Sequence, residues 1–324
     1  MATDIKKQLS YYIWAEKYRP ISFDDVILPK EYKKFFKNIL KDKEIPNMIF
    51  HSVAPGVCKT SLSKVICNDL EANFRYINMS EKGGIDTLRN DINKFASMKS
   101  LDGKPKIVIL DEFQSPNATI NLQNGLKAAI EEFKNSCRFI ITSNFINSII
   151  EPIKSRCMLF DFNFNEVTAQ KEMKPLIEQR LSEILTFENV IYKDETLNKL
   201  VEEYFPDIRK MISICQQYSK LNGCIDNEIF KFDVVSEEFY DYILNLKFGQ
   251  ARKYLIDRNY NYSELFRELY DNLIPKIKSG LKQARTILII AEYMHRHSNV
   301  IDAEINAAAL IYEIISILSE KEEK

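Results

Sequence analysis

Along the first half of the chain, short apolar runs alternate with stretches of helical spacing. Met48-Ile49-Phe50, Phe74 to Met79, Lys106 to Glu112, Arg138 to Asn144 and Met158 to Phe162 are each brief and rich in β-branched or aromatic residues. That pattern predicts five strands. Ile107 to Leu110 is apolar at every position, as in a strand covered on both faces. Between the runs, residues such as Leu62, Val65, Ile66 and Leu70 recur at helical spacing. Strand and helix in alternation predict a parallel sheet with right-handed crossovers.

After Phe164 the pattern changes. Met173, Ile177 and Leu181 lie on one helical face that Ile184-Leu185 continues. A second helix runs through Leu197, Leu200, Val201 and Tyr204, and a third begins near Asp207, which predicts a small helical domain ending near Gly223. From Phe232 onward the chain again reads as helix. In the last segment, Leu310, Ile314, Ile317 and Leu318 share a face, with Ile311 and Ile315 beside it. So wide an apolar surface needs cover on more than one side. The cover could come from the same chain or from neighbouring subunits, and neighbours are the favoured source.

Composition narrows the picture. The chain has 324 residues, 45% of them hydrophobic and 28% charged, too long for one core of ordinary size. The formal net charge of −1 argues against coating nucleic acid by bulk charge, though not against a local basic contact. No run of about 18 apolar residues predicts a membrane span. The opening residues lack the apolar core of a signal peptide, and a cytoplasmic location is expected. Six cysteines without a CxxC pair read as reduced thiols. With three histidines, of which only His51 lies near a cysteine, a metal site made of protein side chains alone is not expected.

The candidate chemistry begins at "HSVAPGVCKTSL", His51 to Leu62. A tight turn with free N–H groups between a strand and a helix start binds phosphate. In the pattern GxxxxGK[ST], lysine reaches the β- and γ-phosphates and the following hydroxyl binds Mg²⁺. Lys59 and Thr60 supply both, but Val53 stands at the first glycine position and Cys58 at the second; Gly56 remains inside the loop. The loop residues Val53, Ala54, Pro55, Gly56, Val57, Cys58, Lys59, Thr60 and Ser61 are therefore candidates for ATP binding. About 50 residues on, the apolar strand "IVILDE" ends in Asp111 and Glu112. Asp111 would join Thr60 in the Mg²⁺ shell, and Glu112 would orient and deprotonate the attacking water. Taken alone, each element has a plainer reading as a solvated acidic pair or a turn; in this order and spacing they predict a nucleoside triphosphatase. Asn144, at the end of "TSN", could bond the γ-phosphate or the lytic water, although a turn asparagine is the plainer alternative.

"WAEKYRP" (Trp14 to Pro20), "KIVILDE", "FIITSN", "EPIKSRC" and "FPDIRK" follow one another as they do in sliding-clamp loader ATPases. Over nearly its whole length the chain resembles that AAA+ branch, which includes replication factor C small subunits and the loaders of T-even-type phages. The resemblance implies an α/β plus all-α fold. A P-loop αβα sandwich with a five-stranded parallel sheet would span 1–165, a helical lid 166–228 and a C-terminal helical collar 229–324. It implies five subunits in an open ring, with copies of this chain beside a companion subunit. ATP binding would shape the ring to open a sliding clamp, and primer–template DNA would trigger hydrolysis. By motif position it makes Arg156 an arginine finger reaching a neighbour's ATP, Asn144 sensor 1 and Arg209 sensor 2, and it sets Tyr18, Arg19 and Pro20 near the adenine. "GGIDTLRNDINKF" is then the candidate DNA contact. Gly83-Gly84 would expose N–H groups, Arg89 lies one turn into the following helix, and Lys82 lies near where the family places a basic switch.

Cys58 departs from the family pattern. The position before the lysine needs a left-handed backbone, which costs an L-residue roughly 1–2 kcal/mol. Weakened nucleotide binding is expected, by about ten-fold or more. A helix N-terminus and Lys59 would both lower the thiol's pKa, so a redox-sensitive Cys58 is an alternative, although not the favoured one. Beside the ATPase reading stand a nucleotide-silent scaffold that still donates Arg156 and a different AAA+ DNA machine. The latter is expected to carry an additional DNA-binding domain, and the tail has no evident winged-helix pattern.

Overall fold

The computed structural model describes residues 12–81, 85–98, 103–230, 237–257, 262–297, 300 and 302–320. Chain contacts divide it into two units, Met1–Ile229 and Phe230–Lys324.

The first unit opens with a short helix α1 (Trp14–Lys17) and a 3-10 turn (Phe23–Asp25). An alternating series follows: α2 (Lys30–Asp42), β1 (Met48–His51), α3 (Lys59–Asp69), β2 (Asn73–Asn78), α4 (Ile85–Ser97), β3 (Lys106–Asp111), α5 (Ile120–Glu132), β4 (Arg138–Ser143), α6 (Glu151–Lys154) and β5 (Met158–Asp161). The strands form one parallel sheet in the order β2-β3-β4-β1-β5. All five expected strands are present. β3 is buried at every residue, as its unbroken apolar run requires. The order sets β4 between β1 and β3, so the loop after β1, the acidic end of β3 and the end of β4 meet at one edge of the sheet. That edge, outside the carboxyl ends of the strands, is where open α/β sheets bind ligands.

Three helices complete the unit: α7 (Val167–Phe187), α8 (Asp194–Tyr204) and α9 (Ile208–Asn222). A two-stranded ladder of β6 (Ile191–Tyr192) and β7 (Cys224–Ile225) ties α7 to α9. Met173, Ile177, Leu181, Ile184 and Leu185 are all buried, as their spacing predicts. Asp207 caps α9 by accepting a bond from the Lys210 N–H at 2.9 Å, and Gly223 ends it in the left-handed conformation. The segment before the sheet is fastened to these helices. The Trp14 N–H donates to Gln216 Oε1 at 2.9 Å, and Lys17 Nζ and the Tyr18 hydroxyl both reach Glu188 Oε1.

The second unit is helical: α10 (Glu237–Leu244), α11 (Phe248–Asp257), α12 (Tyr262–Glu268), a π turn and a 3-10 turn over Leu269–Lys276, α13 (Gly280–His297) and α14 (Ala303–Ser319). Its core corrects one expectation. Leu310, Ile311 and Ile314 are wholly buried, and Ile315 nearly so, within a cluster drawn from the unit's own helices, and Ile317 is buried as well. Cover for the wide face of α14 comes from the same chain, because α10, α11, α12 and α13 all pack against it. Only its outlying apolar residues, such as Ile305 and Tyr312, are exposed.

Ile314→Ala should therefore destabilise the isolated chain by about 2–5 kcal/mol. Denaturant unfolding at two dilute protein concentrations should give the same loss at both. A loss seen only on assembly would return the cover to neighbouring subunits.

Candidate nucleotide-binding site

The loop between β1 and α3 turns through two left-handed residues, Gly56 at φ +68° and Cys58 at φ +65°. Cys58 is the residue before the first turn of α3 and makes no side-chain cap. The N–H groups of Lys59, Thr60 and Ser61 begin the helix and have no intrahelical acceptor, which leaves them available to an anion. At Gly56 the constraint is spatial as well. A Cβ there would lie 1.7 Å from Asp207 Oδ1 and 3.1 Å from the Arg209 Cβ, so α9 closes directly onto the loop.

Lys59 folds back inside the loop, its Nζ donating to the Ser52 carbonyl at 3.3 Å and the Ala54 carbonyl at 3.2 Å. Burial lowers its pKa to about 8. Burial also decides the question of Cys58. It pushes the thiol up to about 11, outweighing the nearby Arg209, Arg19 and Lys59 charges that pull the other way. This opposes the less favoured alternative of a redox-sensitive thiolate, because desolvation exceeds the attraction of the surrounding cations.

Asp111, buried at the end of β3, binds three hydroxyl groups. Thr60 donates to Oδ1 at 2.8 Å, Thr142 of β4 donates to the same oxygen, and Tyr76 of β2 donates to Oδ2 at 2.6 Å. Burial and this bond to Asp111 push the Tyr76 phenol well above its ordinary range. Glu112 follows with φ +56°, and its N–H donates to Thr142 Oγ1 at 3.2 Å. A non-glycine residue in that conformation is strained by about 1–3 kcal/mol, and such strain gathers at active sites. The Asn144 N–H donates to Gln114 Oε1 at 3.0 Å.

Most of these groups face one cleft of about 180 Å³, partly open to solvent. It brings together Tyr18, Arg19, Pro20, the loop from Pro55 to Ser61, Asp111, Glu112, Asn144 and Arg209. Val53 and Ala54 do not line it. They hold the loop from behind, the Val53 N–H donating to Asn163 Oδ1 and the Ala54 carbonyl accepting from Ser52 Oγ and Lys59. Arg156 also lies outside the cleft, its Nε 2.6 Å from Glu131 Oε1 and one terminal nitrogen 2.7 Å from the Pro152 carbonyl. Lys82 and Gly84 lie outside the described residues; Arg89 is a residue of α4. Sequence reasoning missed Arg180, Gln114, Thr142, Tyr76, Ile208 and Ile212. A period-2 reading of β2 sets Tyr76 on the face of Asn78, but which strand lies beside it is not a local signal.

The donor set suits a nucleoside triphosphate with Mg²⁺. An ammonium and the first-turn N–H groups are available to phosphate, and Arg19, Arg180 and Arg209 also line the cleft. Among the described residues no cluster of three or more His, Cys, Asp or Glu could hold a metal. A hydroxyl and one carboxylate beside phosphate oxygens are the surroundings Mg²⁺ takes in nucleotide sites.

Gly56→Ala should lower stability by about 2–3 kcal/mol, combining the left-handed penalty with displacement of the Asp207 cap. Thermal unfolding should read this as a fall of roughly 5 °C or more; an unchanged midpoint would show that α9 does not close on the loop.

Comparison with known proteins agrees with this geometry. Residues 49–165 match the model of the ATPase family associated with various cellular activities (AAA). The chain is 34% identical to the sliding-clamp-loader large subunit of Escherichia phage RB69, over 82% of this chain and 84% of that protein. It is 31% identical to the protein of the same name from Enterobacteria phage T4, over 94% and 95%. It is 33% identical to the replication factor C small subunit of Archaeoglobus fulgidus, over 84% and 88%. In structure it matches the RuvB Holliday junction branch migration motor of Thermotoga maritima with a TM-score of 0.53, over 80% of this chain and 91% of that one; at 16% identity this likeness establishes the AAA+ fold alone. Sheet order, cleft and relatives converge, and the chain belongs to the sliding-clamp-loader AAA+ ATPases.

Proposed function

We propose that this chain is the ATP-hydrolysing subunit of a sliding-clamp loader, which uses ATP binding and DNA-triggered hydrolysis to open a clamp and load it on primer–template DNA. The observation that carries the reading is the convergence of Lys59, Thr60, Asp111, Glu112, Asn144 and Arg209 on one cleft, with Arg156 held outside it. The phage and archaeal relatives, named as loader and replication factor C subunits, support the same assignment.

In this reading Lys59 and the first-turn N–H groups hold the phosphates, and Tyr18, Arg19 and Pro20 border the base. Thr60 and Asp111 are the residues that would hold Mg²⁺, which neutralises phosphate charge when bound. Glu112, turned toward the cleft by its left-handed backbone, takes the proton of the attacking water, and Asn144 positions that water or the γ-phosphate. Arg209 sits on α9 against the loop, so a bound triphosphate ties those helices to the sheet edge. Arg156 serves a neighbour's site and stabilises charge on the transferring phosphoryl group in trans. The working division is 1–165 for the nucleotide-binding domain, 166–228 for the lid and 229–324 for a collar that joins five subunits, copies of this chain beside a companion. Phosphate contacts to DNA fall to the segment of Lys82, Gly84 and Arg89.

The left-handed Cys58 favours one second reading, a nucleotide-silent subunit that only donates Arg156. Two substitutions in the reconstituted loader, assayed for DNA-stimulated ATP turnover, separate the two. In the ATPase reading Glu112→Gln stops turnover at this chain's sites, whereas the silent reading predicts no loss. Arg156→Ala should reduce turnover by about 10³-fold or more while ATP binding persists. Full turnover with Arg156→Ala would overturn the in-trans assignment.

A further inference from the structure

Asp111 offers four lone-pair positions on two oxygens. Both threonine hydroxyls use Oδ1, and Tyr76 alone among these three uses Oδ2, at 2.6 Å. The register explains its reach. β2 pairs with β3 so that Asn78 stands beside Asp111 and Tyr76 beside Ile109. Side chains two residues apart share a face, so Tyr76 lies on the Asp111 side of the sheet, one step toward the start of the strand. Its ring faces α3, where Lys64 Nζ sits 4.1 Å from the ring centroid. α3 is the helix that begins with Lys59 and Thr60. The tyrosine is thus wedged between that helix and the carboxylate.

We propose that Tyr76 is a positioning residue of the metal–phosphate site, holding Asp111 Oδ2 so that Oδ1 stays turned to Thr60 and Thr142. The inference rests on the ATP and Mg²⁺ reading above and deepens it. When Thr60 donates its hydrogen to Oδ1, both of its lone pairs remain for a cation. A carboxylate turns readily about its last torsion; released at Oδ2, it can rotate Oδ1 away from the threonines. The Thr60 hydroxyl then loses the acceptor that orients it. Thr142 is drawn in as well, because the same hydroxyl accepts from the Glu112 N–H. Hydrogen-bond partners that orient metal ligands typically change metal affinity or activity by about 10–100-fold when removed.

The test is Tyr76→Phe in the full chain, which keeps the ring against Lys64 and removes only the hydroxyl. A fluorescent, non-hydrolysable ATP analogue is bound at fixed concentration and titrated with magnesium chloride. The half-saturating Mg²⁺ concentration should rise about ten-fold in the variant. Analogue affinity in EDTA should be unchanged, and nucleotide-free melting should move by no more than a few degrees. An unchanged Mg²⁺ midpoint, or an equal loss of affinity in EDTA and in Mg²⁺, would overturn the assignment. If the wild-type chain itself bound the analogue with no response to Mg²⁺, the fault would lie in the ATP and Mg²⁺ reading instead.

Discussion

The site depends on a reversal of the chain at the end of β1. Leaving a buried strand, the backbone must turn back within a few residues and start α3 with its N–H groups aimed into the cleft. Gly56 and Cys58 make that turn in the left-handed region. The two positions meet the demand differently. Glycine accepts it freely, and the space at Gly56 is also needed by Asp207. Cysteine accepts it at a cost of roughly 1–2 kcal/mol, met by the packing around it. Lys59 and Thr60 reach their places only because the turn holds.

A second constraint binds the three strand ends to one another. The Asp111 carboxylate gathers hydroxyls from α3, β2 and β4, and Thr142 passes the connection on to the Glu112 backbone. Thr60, Asp111 and the Glu112 backbone are therefore held by one hydrogen-bond cluster rather than each by its own strand. The same edge of the sheet receives α9, whose Asp207 and Arg209 touch the loop, and Arg180 of α7 joins the lining. Phosphate in the cleft would lie against the sheet edge and against α7 and α9 together.

Much of this was legible in the residues. β3 announces itself because a strand covered on both faces carries an unbroken apolar run, Ile107 to Leu110, up to its acidic end. The left-handed demand at Cys58 follows from its place before the lysine. α9 is marked by its aspartate cap and its closing glycine. What was not legible depends on neighbours distant in sequence. Tyr76, Thr142 and Gln114 matter because of the strand order, which no local pattern specifies. Glu112 adopts a positive φ without a glycine to signal it. The thiol of Cys58 is governed by burial, and a sequence displays nearby charges more readily than lost water. The broad apolar face of α14 was plain, yet its source of cover could not be read from periodicity, since α10 to α13 and a neighbouring subunit would leave the same stripe.

The central claim is that this loop, with cysteine in place of glycine, still grips a triphosphate. Calorimetric titration of ATP with Mg²⁺ into the wild-type chain, beside Cys58→Gly, addresses it most directly. The account predicts saturable binding at one site in both, tighter in Cys58→Gly by about ten-fold, the equivalent of the left-handed penalty. Binding that is undetectable in the wild type and appears only in Cys58→Gly would contradict it.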